Sequence, residues 1–439
     1  MFDFTSDHTP IRNWKQNYSI SFVRDNSDGY LVLIDHSDFY TTPLPVVVPP
    51  YTPAPPSCSV YHAPMPVITN YDGIDVRDIY IVDDKAFFCG CLMDTTGATP
   101  ASKPMWGYIN LLDFFSGTIN IYLNILFDLP PAGTAPYALD RLVAYQDGGL
   151  YNVIAFSRAS YPCSKIIEIQ DVLGTAPNCW TYDLPISNPH VLMCDMYIDD
   201  IFLDDTYVIV SGHDLSTVPL NRVWYGIYKR TNIIGTIGNT FAFPTTEIPT
   251  GSVICSDIKG TDEFALAYSY YEEGLGTWYT RIRVINKING DNIVSQQFVK
   301  DYKYNPLRMT YLSDISSIEL VQEKELSSSF VRIDPYTSMG YTTSELELRN
   351  YFFYNIDAIG GYHFITTYQN YFYLQDRTMN LPASSSACPD NYSIKVESIL
   401  NLIPMTLIIP SPFPLANYPD RQRVSVTNNS ISTVCFSYE

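Results

Sequence analysis

Basic residues are scarce in this chain: 26 Lys and Arg stand against 46 Asp and Glu, a formal net charge of −20 over 439 residues. Binding nucleic acid through its phosphates requires basic surface, so that class of partner is excluded. No run of 18 apolar residues occurs, and insertion into a membrane by a spanning helix is not expected. Long helical periodicity is missing too. Gly-x-Ser-x-Gly, His-Glu-x-x-His and the phosphate loop are all absent, which removes the local signatures of nucleophilic, metallopeptidase and nucleotide chemistry. The six histidines show no pairing at metal-ligand spacing. The nine cysteines are dispersed among apolar strands, and Cys89 and Cys91, two apart in a strand, point the same way. Buried free thiols are therefore expected, with no metal and no cofactor. The opening residues, MFDFTSDHTP, carry no basic region followed by an apolar one, which favours a virion or a cytoplasm over secretion.

What the chain has in quantity is tyrosine (36) and phenylalanine (22), with only 16% charged residues. That composition suits sheets stacked face to face through aromatic and β-branched side chains. The stretch Val253 to Val299 shows how. It reads as four strands, Val253–Lys259, Phe264–Tyr271, Trp278–Asn286 and Asn292–Val299, separated by three tight-turn signals. A four-stranded antiparallel sheet cannot bury both of its faces alone, so it needs neighbours of its own kind.

Those neighbours are written in the sequence. Asp257-Ile258 recurs as Asp200-Ile201 and Asp314-Ile315 at intervals of 57 residues, and again as Asp78-Ile79, with Asp357-Ala358 a weaker copy. A second marker is a strand running into a polar turn that ends on glycine, at Gly117, Gly174, Gly235, Gly290 and Gly340. Glycine suits the end of a hairpin because φ > 0 costs it little. Inner hairpins of the type FVRDNSDGYLVLID and MYIDDIFLDDTYVIVSG are found at seven places. Two markers sharing one period predict a repeat architecture.

This pattern resembles the β-propeller superfold, with final hairpins similar to those of quinoprotein-like and WD-repeat propellers. No Trp-Asp dipeptide is present, and the likeness is one of architecture. It implies an all-β fold: a β-propeller of about seven four-stranded blades, between six and eight, with an irregular C-terminal extension. Residues 1–16 form a lead-in of low strand potential that closes the ring by joining the last blade. Residues 17–380 form the propeller. Residues 381–439 either complete the last blade and the outer edge of the first, or cap one face. The proline-rich stretch Pro43 to Pro56 is an extended excursion.

Candidate binding residues follow from the repeat. Asp78, Asp200, Asp257, Asp314 and Asp357 are placed near the end of each innermost strand. There they either accept hydrogen bonds from the following turn or form a ring of carboxylates at the central channel. Trp106, Trp224 and Trp278 recur on third strands, as packing between blades or as platforms for a sugar. A residue repeated in nearly every blade serves every blade, and symmetry-breaking polar clusters are few. The leading expectation is a non-enzymatic structural or protein-interaction propeller, one subunit of a larger assembly such as a phage or virion appendage. The second is a carbohydrate-binding or carbohydrate-active propeller with carboxylates in or near the channel, a glycan then being the partner.

Overall fold

The computed structural model describes residues 11–15, 18–25, 28–35, 57–65, 68, 71–94, 101–116, 118–125, 138–157, 165–174, 178–183, 196–214, 222–230, 239–243, 248–272, 274–300, 303–312, 316–324, 327–336, 345–349, 353–359, 362–367, 372–376, 393–394, 403–405, 422–427 and 430–435. Among these, the strands form seven antiparallel sheets, each built on a run of consecutive strands, and four of them gain a strand from the C-terminal part of the chain. The stretch that defined the repeat forms strands Ile254–Ile258, Glu263–Glu272, Thr277–Asn286 and Asn292–Lys300 of the fifth sheet. Alternating side chains and short polar turns, both local properties, are sufficient to place them.

The sheets pack face against face in chain order. Along Leu150–Ser157 of the third sheet, Val153 and Ala155 enter a core shared with Phe87, Trp106 and Tyr108 of the second sheet. Ile154 and Phe156 enter a core shared with Ile198, Val210 and Trp224 of the fourth. Glu263–Glu272 of the fifth sheet sorts its side chains by size: Phe264, Leu266, Tyr268 and Tyr270 fill the core toward the fourth sheet, and Ala265 and Ala267 lie toward the sixth. Period-two alternation thus buries both faces of one strand.

The first strands of the sheets touch one another in a closed circuit. Ile11–Trp14 meets Gly73–Val82, followed by Arg141–Asp147, Met196–Leu203, Ile254–Ile258, Asn305–Leu312 and Phe353–Ile359, and the last of these meets Ile11–Trp14 again. The architecture is all-β and propeller-like.

Two expectations about the chain ends change. Ile11–Trp14 is a strand, and it pairs with Tyr18–Asp25 of the first sheet, not with the last. Four residues of weak local pattern hold there because Trp14 is buried in the core against the second sheet and Arg12 reaches Asp78. At the other end, C-terminal strands return along the outer edges in reverse order. Ser393–Ile394 adds to the fifth sheet and Ile403–Met405 to the fourth. Gln422–Thr427 adds to the second and Ser430–Cys435 to the first. Ser430–Cys435 thus lies on the outer edge of the first sheet, and the other tail strands join sheets the sequence did not indicate.

The turn glycines also divide. Gly290 has φ 77°, whereas at Gly174 the positive φ falls on Asp171 (53°). Gly117, Gly235, Gly340 and the Pro43 to Pro56 stretch lie outside the described residues.

Candidate functional site

The first strands of the second and fourth sheets carry a β-bulge, at Val76/Asp78 and at Ile198/Asp200. The extra residue, Arg77 or Asp199, bends the strand, and the aspartate beyond it is aimed at the next sheet. Asp78 accepts the Leu142 N–H of the third sheet at 3.1 Å, and Asp200 accepts the Cys255 N–H of the fifth at 3.1 Å. A guanidinium from the preceding sheet approaches each: Arg12 lies 2.8 Å from Asp78, and Arg141 lies 3.9 Å from Asp200. Burial pushes the Asp200 carboxyl above the usual aspartate range, while Arg141 and the Cys255 amide oppose the shift. The bulge requires glycine opposite it. A Cβ on Gly90 or on Gly212 would stand 1.8 Å from the carbonyl oxygen of Asp75 or of Tyr197.

Asp257, although evenly spaced from Asp200, holds a different position. It pairs with Phe264, one residue before its hairpin closes, and binds Lys287 at 2.5 Å. Asp357 lies in Phe353–Ile359, paired with Phe364. Asp314 lies outside the described residues. The structure therefore does not align Asp78, Asp200 and Asp257 as one set; besides the amide of the residue that follows it, Ile79 or Ile201, each of Asp78 and Asp200 accepts an amide of the next sheet.

The tryptophans likewise do not match. Trp106 pairs with Cys89 and Trp224 with Gly212, one residue out of step relative to the bulge. A slip of one residue reverses the face. Trp106 accordingly packs forward onto the third sheet and Trp224 backward onto it. Both are buried, at 1% and 0% exposure, and offer no ring to a sugar. Trp278 is half-buried beside Tyr271, with centroids 4.8 Å apart.

A set of contacts joins one end of each of the second to sixth sheets to the sheet before it. In a meander, the hairpin between first and second strands and the link between third and fourth lie at the same end. At that end Phe115 of the second sheet stacks on Trp14 of the first, and the Tyr151 hydroxyl of the third donates to Asp83 of the second. Arg230 of the fourth lies over the Tyr145 ring of the third. Lys287 of the fifth binds Asp204 of the fourth at 2.7 Å, and the Tyr336 hydroxyl of the sixth donates to Glu263 of the fifth. The ends of the first six sheets thus lie side by side on one face.

That face is acidic, with Asp83 and Asp84, Asp147, Asp204 and Asp205, and Asp262 in successive first hairpins. It also exposes large apolar side chains: Leu112, Phe115, Leu150, Ile288 and Tyr336. Ile288 is 62% exposed and Leu150 is 52% exposed. The short helix Asp113–Ser116 positions Phe115, and the turn at Gly290 positions Ile288. At the opposite end of the fourth sheet, His213 Nδ1 lies 2.6 Å from the buried Asp199 carboxylate, which also accepts the Val253 N–H. The imidazole stacks on Tyr197.

Sequence reasoning assigned no role to Gly90, Gly212, Asp199, His213 or Lys287. One signal was available: Gly90 follows Asp78, and Gly212 follows Asp200, at the same interval of 12 residues. Among the described residues, no three His, Cys, Asp or Glu side chains gather as a metal site. Cys89, Cys91 and Cys255 are buried.

No protein-family model matches the chain, and no curated protein matches it. Among solved structures, the crystal structure of Kluyvelomyces marxianus Hsv2 is similar at TM-score 0.30 and 9% identity, over 68% of this chain and 90% of that one. The Bombyx mori GH32 beta-fructofuranosidase BmSUC1 is similar at TM-score 0.27 and 9% identity, over 84% and 88%. At these scores neither likeness bears on what this chain binds.

Proposed function

We propose that the protein is a non-enzymatic binding module of seven four-stranded blades, one subunit of a larger assembly, and that it docks a protein partner on the hairpin face. One observation carries the reading: Leu112, Phe115, Leu150, Ile288 and Tyr336 are exposed at the same end of their sheets, among acidic turns. Apolar side chains gathered on one face mark an interaction surface, and carboxylates around them suit a basic partner. The recurrent Asp78 and Asp200 are engaged between sheets, which fits a scaffold.

The test is co-purification from the producing cells, with wild type compared against Leu150→Ser with Ile288→Ser. Capture of a basic protein by wild type and its loss in the variant supports the reading. A wild-type chain recovered from those cells with no other protein bound removes it.

A second reading, a carbohydrate-binding propeller, is favoured by the half-buried ring of Trp278 beside Tyr271. Binding on a glycan array that Trp278→Ala abolishes and the hairpin-face variant retains would establish it.

A further inference from the structure

The residues Gln422 to Cys435 read as a hairpin, since two alternating stretches flank Asn428 and Asn429. The structure opens them instead. Gln422–Thr427 pairs antiparallel with Thr118–Ile125, from Gln422 opposite Leu123 to Thr427 opposite Thr118. Ser430–Cys435 pairs antiparallel with Ser57–Pro64, from Ser430 opposite His62 to Cys435 opposite Ser57. One segment thus straddles the outer edges of two neighbouring sheets.

We propose that these two edges form a single strand-acceptor site, and that a second copy of this chain fills it with its own residues 422–435. An outer strand presents backbone N–H and C=O groups that any extended segment of suitable alternation satisfies. The segment has two ways of meeting its own hydrogen-bonding needs, a closed hairpin or two open edges, so release from one molecule does not leave it unpaired. Residues 406–421 connect it to Ile403–Met405 on the fourth sheet. A connection of that length reaches up to about 55 Å, enough for a neighbouring molecule. An identical chain supplies identical contacts, so the exchange needs no new complementarity.

The experiment uses the full chain and two peptides spanning residues 420–437, one of natural sequence and one with Ser425→Pro and Ser432→Pro. The prolines break strand pairing without touching the folding of the protein. Sedimentation over a concentration series is expected to show a monomer–dimer equilibrium that excess natural peptide shifts to monomer. The proline peptide is expected to bind at least about tenfold more weakly. A chain that is monomeric at every concentration, or a dimer that the natural peptide leaves intact, overturns the proposal. Neither result touches the hairpin-face reading, whose variants lie elsewhere.

Discussion

Lys287 of the fifth sheet is 4% exposed and sets its ammonium 2.7 Å from the Asp204 carboxylate of the fourth and 2.5 Å from Asp257 of its own. Burial works to lower the Lys287 pKa, but hydrogen bonds to Asp204 and Asp257 raise it overall. Burial likewise works to raise that of Asp204, and hydrogen bonds from Lys287 and from the Tyr207 and Thr206 amides bring it below the usual range.

Replacing Lys287 with Met is expected to cost about 1 to 3 kcal/mol, because two partly exposed carboxylates lose the cation between them. The pH dependence has a definite sign. The lowered Asp204 contributes stability that is present above the ordinary aspartate pKa and lost as pH falls through its folded value. The raised Lys287 contributes stability that is present below the ordinary lysine pKa, about 10.4, and lost as pH rises through its folded value. Thermal melts across pH should therefore show both flanks in wild type and, in Lys287→Met, the loss of the alkaline one and a reduced acid one, since Lys287 is among the groups that lower Asp204.

Glycine opposite the bulges is a steric requirement. Gly90→Ala and Gly212→Ala are each expected to cost about 2 to 4 kcal/mol, since the Cβ would meet a backbone carbonyl that no rotamer change can move. Gly148→Ala, where φ is 56° and nothing lies within 4 Å, should cost only about 1 kcal/mol. Urea denaturation compares the three.

Asp200 separates hydrogen bonding from charge. Asp200→Ala leaves the Cys255 amide without its acceptor and should cost about 1 to 3 kcal/mol, whereas Asp200→Asn retains an oxygen. Because burial raises the Asp200 pKa, the protonated carboxyl contributes stability that is present below the ordinary aspartate value and falls away as pH rises through the folded one. Asp200→Asn should flatten that fall in a stability-versus-pH series. A carboxylate acting on a glycan would instead lose activity on Asp200→Asn with stability unchanged.

Asn124 is buried opposite Trp106, and among the described residues neither its amide nitrogen nor its oxygen has a hydrogen-bond partner. Asn124→Leu is expected to raise stability by about 1 kcal/mol, measured as a higher urea midpoint with an unchanged m-value.

The class of fold was readable in the chain because its signals are local. Strands Glu263–Glu272 and Thr277–Asn286 announce themselves by alternation, and the turns between them by glycine and polar clusters. The candidate site was only partly readable. Asp78 and Asp200 share a place beside a bulge, but Asp257, the most evenly spaced copy, does not, because a bulge inserts a residue that counting along the chain cannot detect.

The sequence by itself determined that strands, hairpins and repeated sheets would form, since these depend on side chains two residues apart and on turn chemistry. Only the tertiary structure decided that Trp106 and Trp224 face opposite ways, that Lys287 joins two sheets, and that Gln422 to Cys435 opens across two edges. Each of those outcomes turns on register against a distant strand, where a shift of one residue exchanges the two faces of a sheet.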